Sequence, residues 1–177
     1  MKHYLLTASG RDRPGLVAAV SKVLFREGCN LEDSAMTRLQ GEFSILCIFS
    51  GTAPLLKLQK GLNGLGRSLG LTVQVKLLKG VETKAPEGKN QPLLITVYGA
   101  DHTGLVFQVT DVLAKARVNV TNLSTHRTQG KSPGYILYLE GEAPAKCSLP
   151  RLEKLVADSL DAPGMTVTVK PVAFQKL

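Results

Sequence analysis

The chain has 177 residues, 44% of them hydrophobic, and a formal net charge of +8 with a pI near 9.5. This composition suffices for one medium or two small globular domains with packed cores, and no apolar run is long enough to span a membrane. The lysines and arginines are spread along the whole chain, so the basic charge indicates a soluble basic surface rather than a nucleic-acid site.

The N-terminal segment predicts a strand, a loop and a helix. The apolar run "YLLTAS" is typical of a strand, and it leads into "GRDRPGLV" at residues 10–17. Apolar residues then recur at helical spacing on one face, at Leu16, Val20, Val23 and Leu24. Pro14 suits the first turn of this helix and Gly28 suits its C-terminal cap. The segment turns polar too early for a signal peptide, so we expect a cytoplasmic protein.

The rest of the first half predicts a hairpin, a helix and a strand. Two extended stretches, "CNLEDSAMTRL" and "EFSILCIFSG", are separated by Gln40 and Gly41, as in a β-hairpin. A second helix is indicated by leucines at helical spacing, although three internal glycines weaken its propensity. These leucines are Leu55, Leu58, Leu62, Leu65 and Leu69. The strand-like run "LTVQVKLL" completes a βαββαβ order.

The second half of the chain repeats the first with a shift of 89 residues. "GADHTGLV" at residues 99–106 matches "GRDRPGLV", and further on "GEAP" and "MTVTVK" match "GTAP" and "LTVQVK". Residues identical under this shift are, by their first-copy members, Gly10, Asp12, Gly15, Leu16, Val17, Val20, Val23, Leu24, Asn30, Arg38, Gln40 and Gly41. The chain is therefore a tandem duplication.

Each copy is predicted to fold as a ferredoxin-like sandwich of the α+β class, in which two helices cover one face of a four-stranded antiparallel sheet. The elements of the second copy are expected at 92–99 (strand), 104–116 (helix), 118–141 (hairpin), 148–161 (helix) and 164–173 (strand). We assign residues 1–79 and 92–177 to two domains. The segment 80–91, rich in Lys, Gly and Pro, is predicted to be a linker.

The repeated loop joins the first strand of each copy to its first helix. Gly15 and Leu16 would lie in the first helical turn, where unpaired N–H groups and the helix dipole favour an anion. A zwitterion would fit, because the amides would bind its carboxylate and Asp12 or Asp101 its ammonium group. Alternatively, the aspartates only cap the helices and the glycines only permit a tight turn. Repetition of the loop is compatible with both interpretations.

The cysteines and histidines indicate no catalytic or metal site. The three cysteines are scattered and form no C-x-x-C, so neither a disulfide framework nor a zinc site is expected: Cys29, Cys47 and Cys147. Cys29 and Cys47 lie in apolar surroundings and are expected to be inert core thiols. The histidines do not pair with a serine or cysteine in a recognised catalytic spacing: His3, His102 and His126. We therefore predict no enzymatic activity, metal or cofactor.

Two nucleotide-binding interpretations fit the sequence less well. A dinucleotide fingerprint is largely excluded, because Asp12 would place a negative charge where the pyrophosphate binds. An RNA-recognition module shares the βαββαβ order, but it requires a patterned set of aromatics on its central strands. This chain offers Phe43, Tyr135 and Tyr138 without that pattern. RNA binding is therefore the weaker alternative.

The two loops and the βαββαβ order resemble the ACT domain, a regulatory module that commonly binds amino acids between paired copies. The stretch from "DRPGLV" through "GCNLEDS" to "GEFSILCIFSG" resembles the glycine cleavage system transcriptional repressor family, whose members consist of two such domains. The resemblance covers essentially the whole chain and is more specific in the first copy. Formyltetrahydrofolate deformylase carries a similar segment, but this chain has a second copy where that enzyme has its catalytic domain. We therefore expect a regulator and not that enzyme.

The resemblance implies a regulator without DNA-binding machinery of its own, which acts through a transcription activator of the glycine cleavage genes and has glycine as its natural candidate effector. It also implies ligand-binding positions, which are Asp12, Arg13, Gly15, Leu16 and Asn30 in the first copy and Asp101, His102, Gly104, Leu105 and Asn119 in the second. The second loop has His-Thr in place of Arg-Pro, so the first loop is the better candidate if only one is occupied. Sheet edges allow ACT pairing within the chain or in a homo-oligomer. A ligand-independent scaffold is the alternative function.

Overall fold

The computed structural model describes residues 1–79, 90–128, 134–161 and 164–172. The chain divides into two compact units, Met1–Ala85 and Pro86–Leu177, and each is described by itself. Unit 1 contains β1 Lys2–Arg11, α1 Leu16–Arg26, β2 Asn30–Leu39, β3 Glu42–Gly51, α2 Leu55–Leu69 and β4 Leu71–Leu78. Unit 2 contains β5 Gln91–Ala100, α3 Leu105–Lys115, β6 Asn119–Arg127, β7 Gly134–Ala143, α4 Leu149–Asp158 and β8 Thr166–Pro171.

Both units have the predicted ferredoxin-like topology. The strand order is β2-β3-β1-β4 in unit 1 and β6-β7-β5-β8 in unit 2, and every neighbouring pair is antiparallel. The α+β class, the element order and the duplication are therefore confirmed. The predicted linker 80–91 lies outside the described residues except for Asn90 and Gln91, and Gln91 is the first residue of β5.

Each unit has its own core between the helices and one face of the sheet. Alternate residues of β1 (Tyr4, Leu6, Ala8) point inward and meet Leu16, Val20 and Leu24 of α1 and Leu58 and Leu62 of α2. In unit 2 the equivalent set is Leu93, Ile95, Val97, Leu105, Val109, Leu113, Leu152 and Val156. The helical face read from the sequence is thus the buried one. Truncating one of these leucines to Ala is expected to cost about 2–5 kcal/mol.

Polar and thiol groups in the first core are satisfied or kept neutral. The Tyr4 hydroxyl donates a 2.7 Å hydrogen bond to the carbonyl oxygen of Ala53, and burial raises the pKa of this phenol, with a smaller contribution from Cys29. Burial also raises the pKa of the Cys47 thiol, and it raises that of Cys29 together with the negative charge of Glu27. Cys47 is fully buried and Cys29 packs against the core, as predicted.

The hairpin turn in unit 1 has the predicted position. Gln40 and Gly41 both have positive φ, 47° and 87°, and Leu39 lies directly opposite Glu42. Two central residues with positive φ define the two-residue turn whose twist suits a hairpin. The corresponding Gln129 and Gly130 lie outside the described residues.

The ends of the first helix of each unit only partly follow the sequence prediction. α1 begins at Leu16 after Gly15, so Pro14 precedes the helix and does not lie in its first turn. Gly28 has φ 65°, and the amides of Gly28 and Cys29 donate to the carbonyls of Phe25 and Leu24, which is the predicted glycine-type C-terminal cap.

The same C-terminal cap closes α3 without a glycine. Arg117 holds the left-handed position with φ 58°, and its amide donates to the Ala114 carbonyl. The next amide, that of Val118, donates to Leu113. A side chain in this conformation costs about 1–2 kcal/mol relative to glycine, so the second copy keeps the cap at some cost in stability.

The two edges of each sheet differ. Every residue of β2 is exposed, including Met36 at 57% and Leu39 at 68%. On the opposite edge, Gln59 of α2 donates to the Val75 carbonyl of β4 at 3.0 Å. In unit 2 the amide of Val169 on β8 likewise donates to Glu153 of α4 at 2.7 Å. Side chains from the helices therefore occupy polar groups of β4 and β8, and β2 is the more open edge of its sheet.

Two further sequence expectations concern membrane-spanning segments and metal sites. Among the four described ranges, no helix has both the length and the apolar character to cross a membrane. Within the same ranges, histidines, cysteines and carboxylates form no group of three or more that would hold a metal ion.

Candidate functional site

The two glycines of the repeated loop have different roles. A Cβ atom on Gly10 would lie 2.7 Å from the Gly70 carbonyl oxygen and 2.8 Å from Leu71 Cδ2, so the first glycine permits close packing of β1 against β4. In unit 2 a Cβ atom on Gly99 would collide with Met165 Sδ. The second glycine, Gly15 or Gly104, has φ 92° in both copies and open space around it. The first glycine therefore serves packing, and the second serves the backbone at the helix start.

The N-terminus of α1 has no side-chain cap in the described part of the chain. The Gly15 carbonyl accepts the first helical bond from Ala19 at 2.9 Å, and the preceding amides of Leu16, Val17 and Ala18 have no acceptor within the helix. α3 starts in the same way, with the Gly104 carbonyl accepting from Gln108 at 2.9 Å. These N–H groups and the helix dipole favour an anion at this position.

The loop aspartates pair with arginines and do not cap the helices. Asp12 Oδ2 lies 3.5 Å from Arg38 Nη1, and Asp101 Oδ2 lies 3.0 Å from Arg127 Nε. The Asp12 amide also donates to the Gly41 carbonyl at 2.8 Å, which ties the loop to the hairpin turn. The capping alternative is wrong for both aspartates, because Gly15 or Gly104 occupies the cap position and neither helix has a side-chain cap bond from a described residue.

The neighbouring loop residue differs between the copies. Arg13 Nη2 donates a 2.7 Å hydrogen bond to the carbonyl oxygen of Leu69 at the end of α2. In the second copy His102 Nδ1 lies 3.1 Å from the carbonyl oxygen of Thr103, whereas its Nε2 is buried and has no partner among the described residues. The first loop is thus anchored to α2 and the second is held locally.

An open cavity of about 500 Å³ lies at the start of α1. It is lined by Asp12, Arg13, Gly15, Leu16, Val17, Ala18, Met36 and Phe43. Four of the five first-copy residues implied by the resemblance therefore share one cavity, in which helix amides, a carboxylate and apolar side chains meet. Such a combination suits a small molecule with a charged end and a compact apolar part.

Asn30 is the implied residue that lies elsewhere. It pairs with Ser50 at the start of β2, whereas Phe43, the β3 residue of the cavity, pairs with Arg38 near the hairpin turn. Seven residues of strand, roughly 23 Å at 3.3 Å per residue, separate these two positions. In unit 2, Asn119 likewise pairs with Glu142 near the end of β7. Neither asparagine is beside the start of the helix.

Sequence reasoning did not assign a role to four residues that the structure brings to the site. Arg38 and Arg127 are the partners of the aspartates, and their identity under the 89-residue shift was a usable signal. Met36 and Phe43 supply apolar lining from the hairpin, where the alternation of inward residues could have indicated Phe43.

The remaining histidines have ordinary surface contacts. His3 Nε2 lies 3.3 Å from Glu32 Oε1, and His126 Nε2 lies 3.1 Å from the hydroxyl of Ser124 on the same exposed strand. A Ser-His pair acts in nucleophilic catalysis when a third group orients the histidine. In the described residues no carboxylate contacts the other nitrogen of His126. The pair therefore lacks the features of a catalytic site.

Comparison with known sequences matches the first unit to a described family. A family model described as an ACT domain matches residues 2–76. The glycine cleavage system transcriptional repressor of Escherichia coli (strain K12) is 42% identical over 52 residues, which are 29% of this chain and 27% of that protein. A UPF0237 protein of Methanopyrus kandleri is 33% identical over 79 residues, which are 43% of this chain and 88% of that protein. The chain thus spans nearly all of the second relative and only 27% of the first.

Solved structures match both units together. A protein of unknown function from Galdieria sulphuraria has a TM-score of 0.79 at 21% identity, with 97% of this chain and 99% of that chain covered. A protein proposed to be a glycine cleavage system transcriptional repressor has a TM-score of 0.71 at 22% identity, with 97% of both chains covered. At these identities the likeness establishes the tandem fold.

Proposed function

This chain belongs to the ACT-domain family, and we propose that it is a non-enzymatic regulatory protein that senses a small amino acid and acts through protein–protein contact. Glycine is the first candidate effector. The observation that carries the proposal is the cavity at the start of α1, where uncapped helix amides and the Asp12 carboxylate line one space.

The cavity supplies a complement for each end of an amino acid. The amides of Leu16, Val17 and Ala18 would receive the carboxylate, because they lie at the positive end of the helix dipole. The Asp12 carboxylate would receive the ammonium group, and Met36 would contact a small side chain. Charge-assisted hydrogen bonds of this kind contribute about 1.5–3 kcal/mol each. Two of them suffice for the weak, reversible binding that a metabolite sensor needs.

The second loop is proposed as a weaker site of the same kind. Gly104 and Leu105 repeat the helix start, and Asp101 repeats the paired carboxylate. His102 takes the place of Arg13 and has a buried ring nitrogen without a partner in the described ranges. Because the amide geometry is retained and the neighbouring side chain is not, we expect the two loops to bind with different affinities.

The signal is proposed to pass to a protein partner. A transcription activator of the glycine cleavage genes is the first candidate, because one relative is named as a repressor of that system. No direct DNA binding is proposed. The exposed edge of β2 is the proposed surface for ACT pairing in a homo-oligomer, since β4 already has a polar group occupied by Gln59.

A ligand-independent scaffold is the second candidate function. The observation that favours it is that the charged side chains of the first loop have partners within the chain, Asp12 with Arg38 and Arg13 with Leu69. RNA binding is disfavoured, because Phe43 is 2% exposed and faces the core. Tyr135 packs against the second core, and Tyr138, at 41%, is the exposed member of the three aromatics considered.

Isothermal calorimetry of the whole protein against a panel of amino acids tests the sensing function. We expect saturable heat for glycine or another small amino acid, and loss of that heat in Asp12→Asn. Asp111→Asn is the matched control, because Asp111 is an acid within α3 that pairs with Lys115 one turn further along the same helix. Absence of heat for every amino acid at millimolar concentration would overturn sensing. Partner capture that is indifferent to amino acids and to Asp12→Ala would then support the scaffold.

A further inference from the structure

The carboxylate proposed to receive the ammonium group already has a cationic partner. Arg38 Nη1 lies 3.5 Å from Asp12 Oδ2, and the arrangement recurs 89 residues later, where Arg127 Nε lies 3.0 Å from Asp101 Oδ2. The two residues that follow the acid diverge between the copies, since Arg13-Pro14 become His102-Thr103. Retention of the acid, its arginine and their contact indicates that the pair belongs to the element at the helix start.

The two members of the pair are held differently. The Asp12 side chain is 27% exposed, and its backbone amide is fixed to the Gly41 carbonyl at 2.8 Å. The Arg38 side chain is 70% exposed and lies on β2, the strand with every residue exposed. The backbone that carries the carboxylate is therefore anchored at the cavity wall, whereas the guanidinium has room to move away into solvent.

We propose, on the basis of the sensing function above, that Arg38 competes with the ammonium group of the bound amino acid for the Asp12 carboxylate. Asp12 exchanges one cation for another: the ligand ammonium takes the carboxylate, and the Arg38 guanidinium is released. The carboxylate has a cationic partner in both states. The occupied and empty cavities therefore differ in the position of the arginine side chain. Arg38 lies two residues before the hairpin turn on an exposed strand, so occupancy changes the charge presented along β2.

This exchange makes the ammonium group the part of the ligand that triggers the response. A carboxylate without an ammonium group would bind the helix amides and leave Arg38 on Asp12. An amino acid binds the same amides and also breaks the pair. Arg38 thereby lowers the affinity for every amino acid while coupling its binding to β2.

Calorimetry with two probes tests the exchange: glycine, and glycolate, which has a hydroxyl in place of the ammonium. Arg38→Gln is expected to bind glycine about two- to fivefold more tightly than the native protein, since an exposed ion pair of this kind is weak. Glycolate affinity is expected to stay the same or fall. In an Asp12→Asn background, where glycine binding is expected to be lost, Arg38→Gln should not restore it. Arg26→Gln, which removes the same charge from the exposed C-terminal end of α1, is the matched control and should leave glycine binding unchanged.

The possible results separate this inference from the sensing function. If Arg38→Gln weakens glycine binding, Arg38 holds the ligand carboxylate and the exchange is overturned, although sensing stands. Glycine binding that is unchanged in Arg38→Gln, or that Arg38→Gln restores in the Asp12→Asn background, also overturns the exchange alone. If neither the native protein nor any variant binds either probe, the sensing function fails and this inference fails with it. Circular dichroism of each variant establishes that the fold is retained.

Discussion

Arg13 Nη2 donates a 2.7 Å hydrogen bond to the carbonyl oxygen of Leu69, the last residue of α2. The contact joins residues 56 positions apart and fastens the β1–α1 loop to the far end of the second helix. A cation at this end of a helix is favourable, because the carbonyl groups there carry partial negative charge. Arg13 therefore contributes to the fold of unit 1 as well as to the wall of the cavity.

Replacement of Arg13 by Met is expected to lower the free energy of unfolding of unit 1 by about 1 kcal/mol, because a charge-assisted bond to a helix end is lost. Arg11→Met is the matched control, since Arg11 is an exposed arginine at the end of β1, and it should change stability by less than about 0.5 kcal/mol. Urea unfolding followed by circular dichroism measures both. Equal effects of the two substitutions would contradict the structural role of Arg13.

Alanine substitutions distinguish three glycines of unit 1. Gly10→Ala is expected to destabilise by about 1–3 kcal/mol through overlap with the Gly70 carbonyl and Leu71. Gly15→Ala should cost about 1–2 kcal/mol through its positive φ alone. Gly64→Ala, in the interior of α2 with open space around it, should stabilise by about 0.5–1 kcal/mol. Chemical denaturation gives all three values, and a stabilising Gly10→Ala would refute the close packing of β1 on β4.

Met36→Glu is expected to weaken glycine binding without loss of stability. Met36 is 57% exposed and lines the cavity, so a carboxylate there would repel the carboxylate of the ligand. Leu31→Glu places the same charge on the same strand, at a residue that is 41% exposed and outside the cavity lining. Calorimetric affinities for glycine should differ between the two variants. A similar loss in both would indicate a general effect of charge on β2 and not a contact at the cavity.

The stability of unit 1 is expected to fall as the pH rises above about 9. Burial raises the pKa of the Cys47 thiol above its ordinary value of 9.0, so the folded chain keeps the proton that the unfolded chain loses. The contribution is fully present below pH 9 and is lost as the pH rises through the unfolded and then the folded pKa. Urea unfolding at pH 7 and pH 9.5 measures the slope, and Cys47→Val should make it shallower. An unchanged slope would exclude this thiol as its origin.

The fold was predictable because its signals are local. The face formed by Leu16, Val20 and Leu24 follows from helical spacing, and Gln40-Gly41 predicts a hairpin whose register places Arg38 opposite Phe43. The register between β1 and β3, which places Gly10 opposite Phe43, has no comparable local signal. The β1–β3 and β2–β3 registers together bring Asp12 to Arg38. The repeat in the sequence therefore indicated both residues, but it did not predict their contact.

The start of α1 is a second feature that the sequence did not predict. Asp12 is a suitable cap residue by type, and only the backbone path determines whether it occupies the cap position. Gly15, in the left-handed conformation, occupies the cap position three residues beyond Asp12, and the helix starts at Leu16. Pro14 is thereby placed before the helix. A positive φ at one glycine thus shifted the boundary and left the amides open to the cavity.

The exposed edge of β2 also carries backbone amides whose hydrogen exchange would report the binding of a partner strand. In a two-residue hairpin the amides of alternate residues bond to the neighbouring strand, and those between them point away from it. With Leu39 opposite Glu42, the outward amides are those of Ser34, Met36 and Arg38. Their hydrogens should exchange rapidly with deuterium while their neighbours exchange slowly. Any chain that adds a strand to this edge would slow the hydrogen exchange of these three amides, so its binding could be mapped residue by residue before the partner is identified.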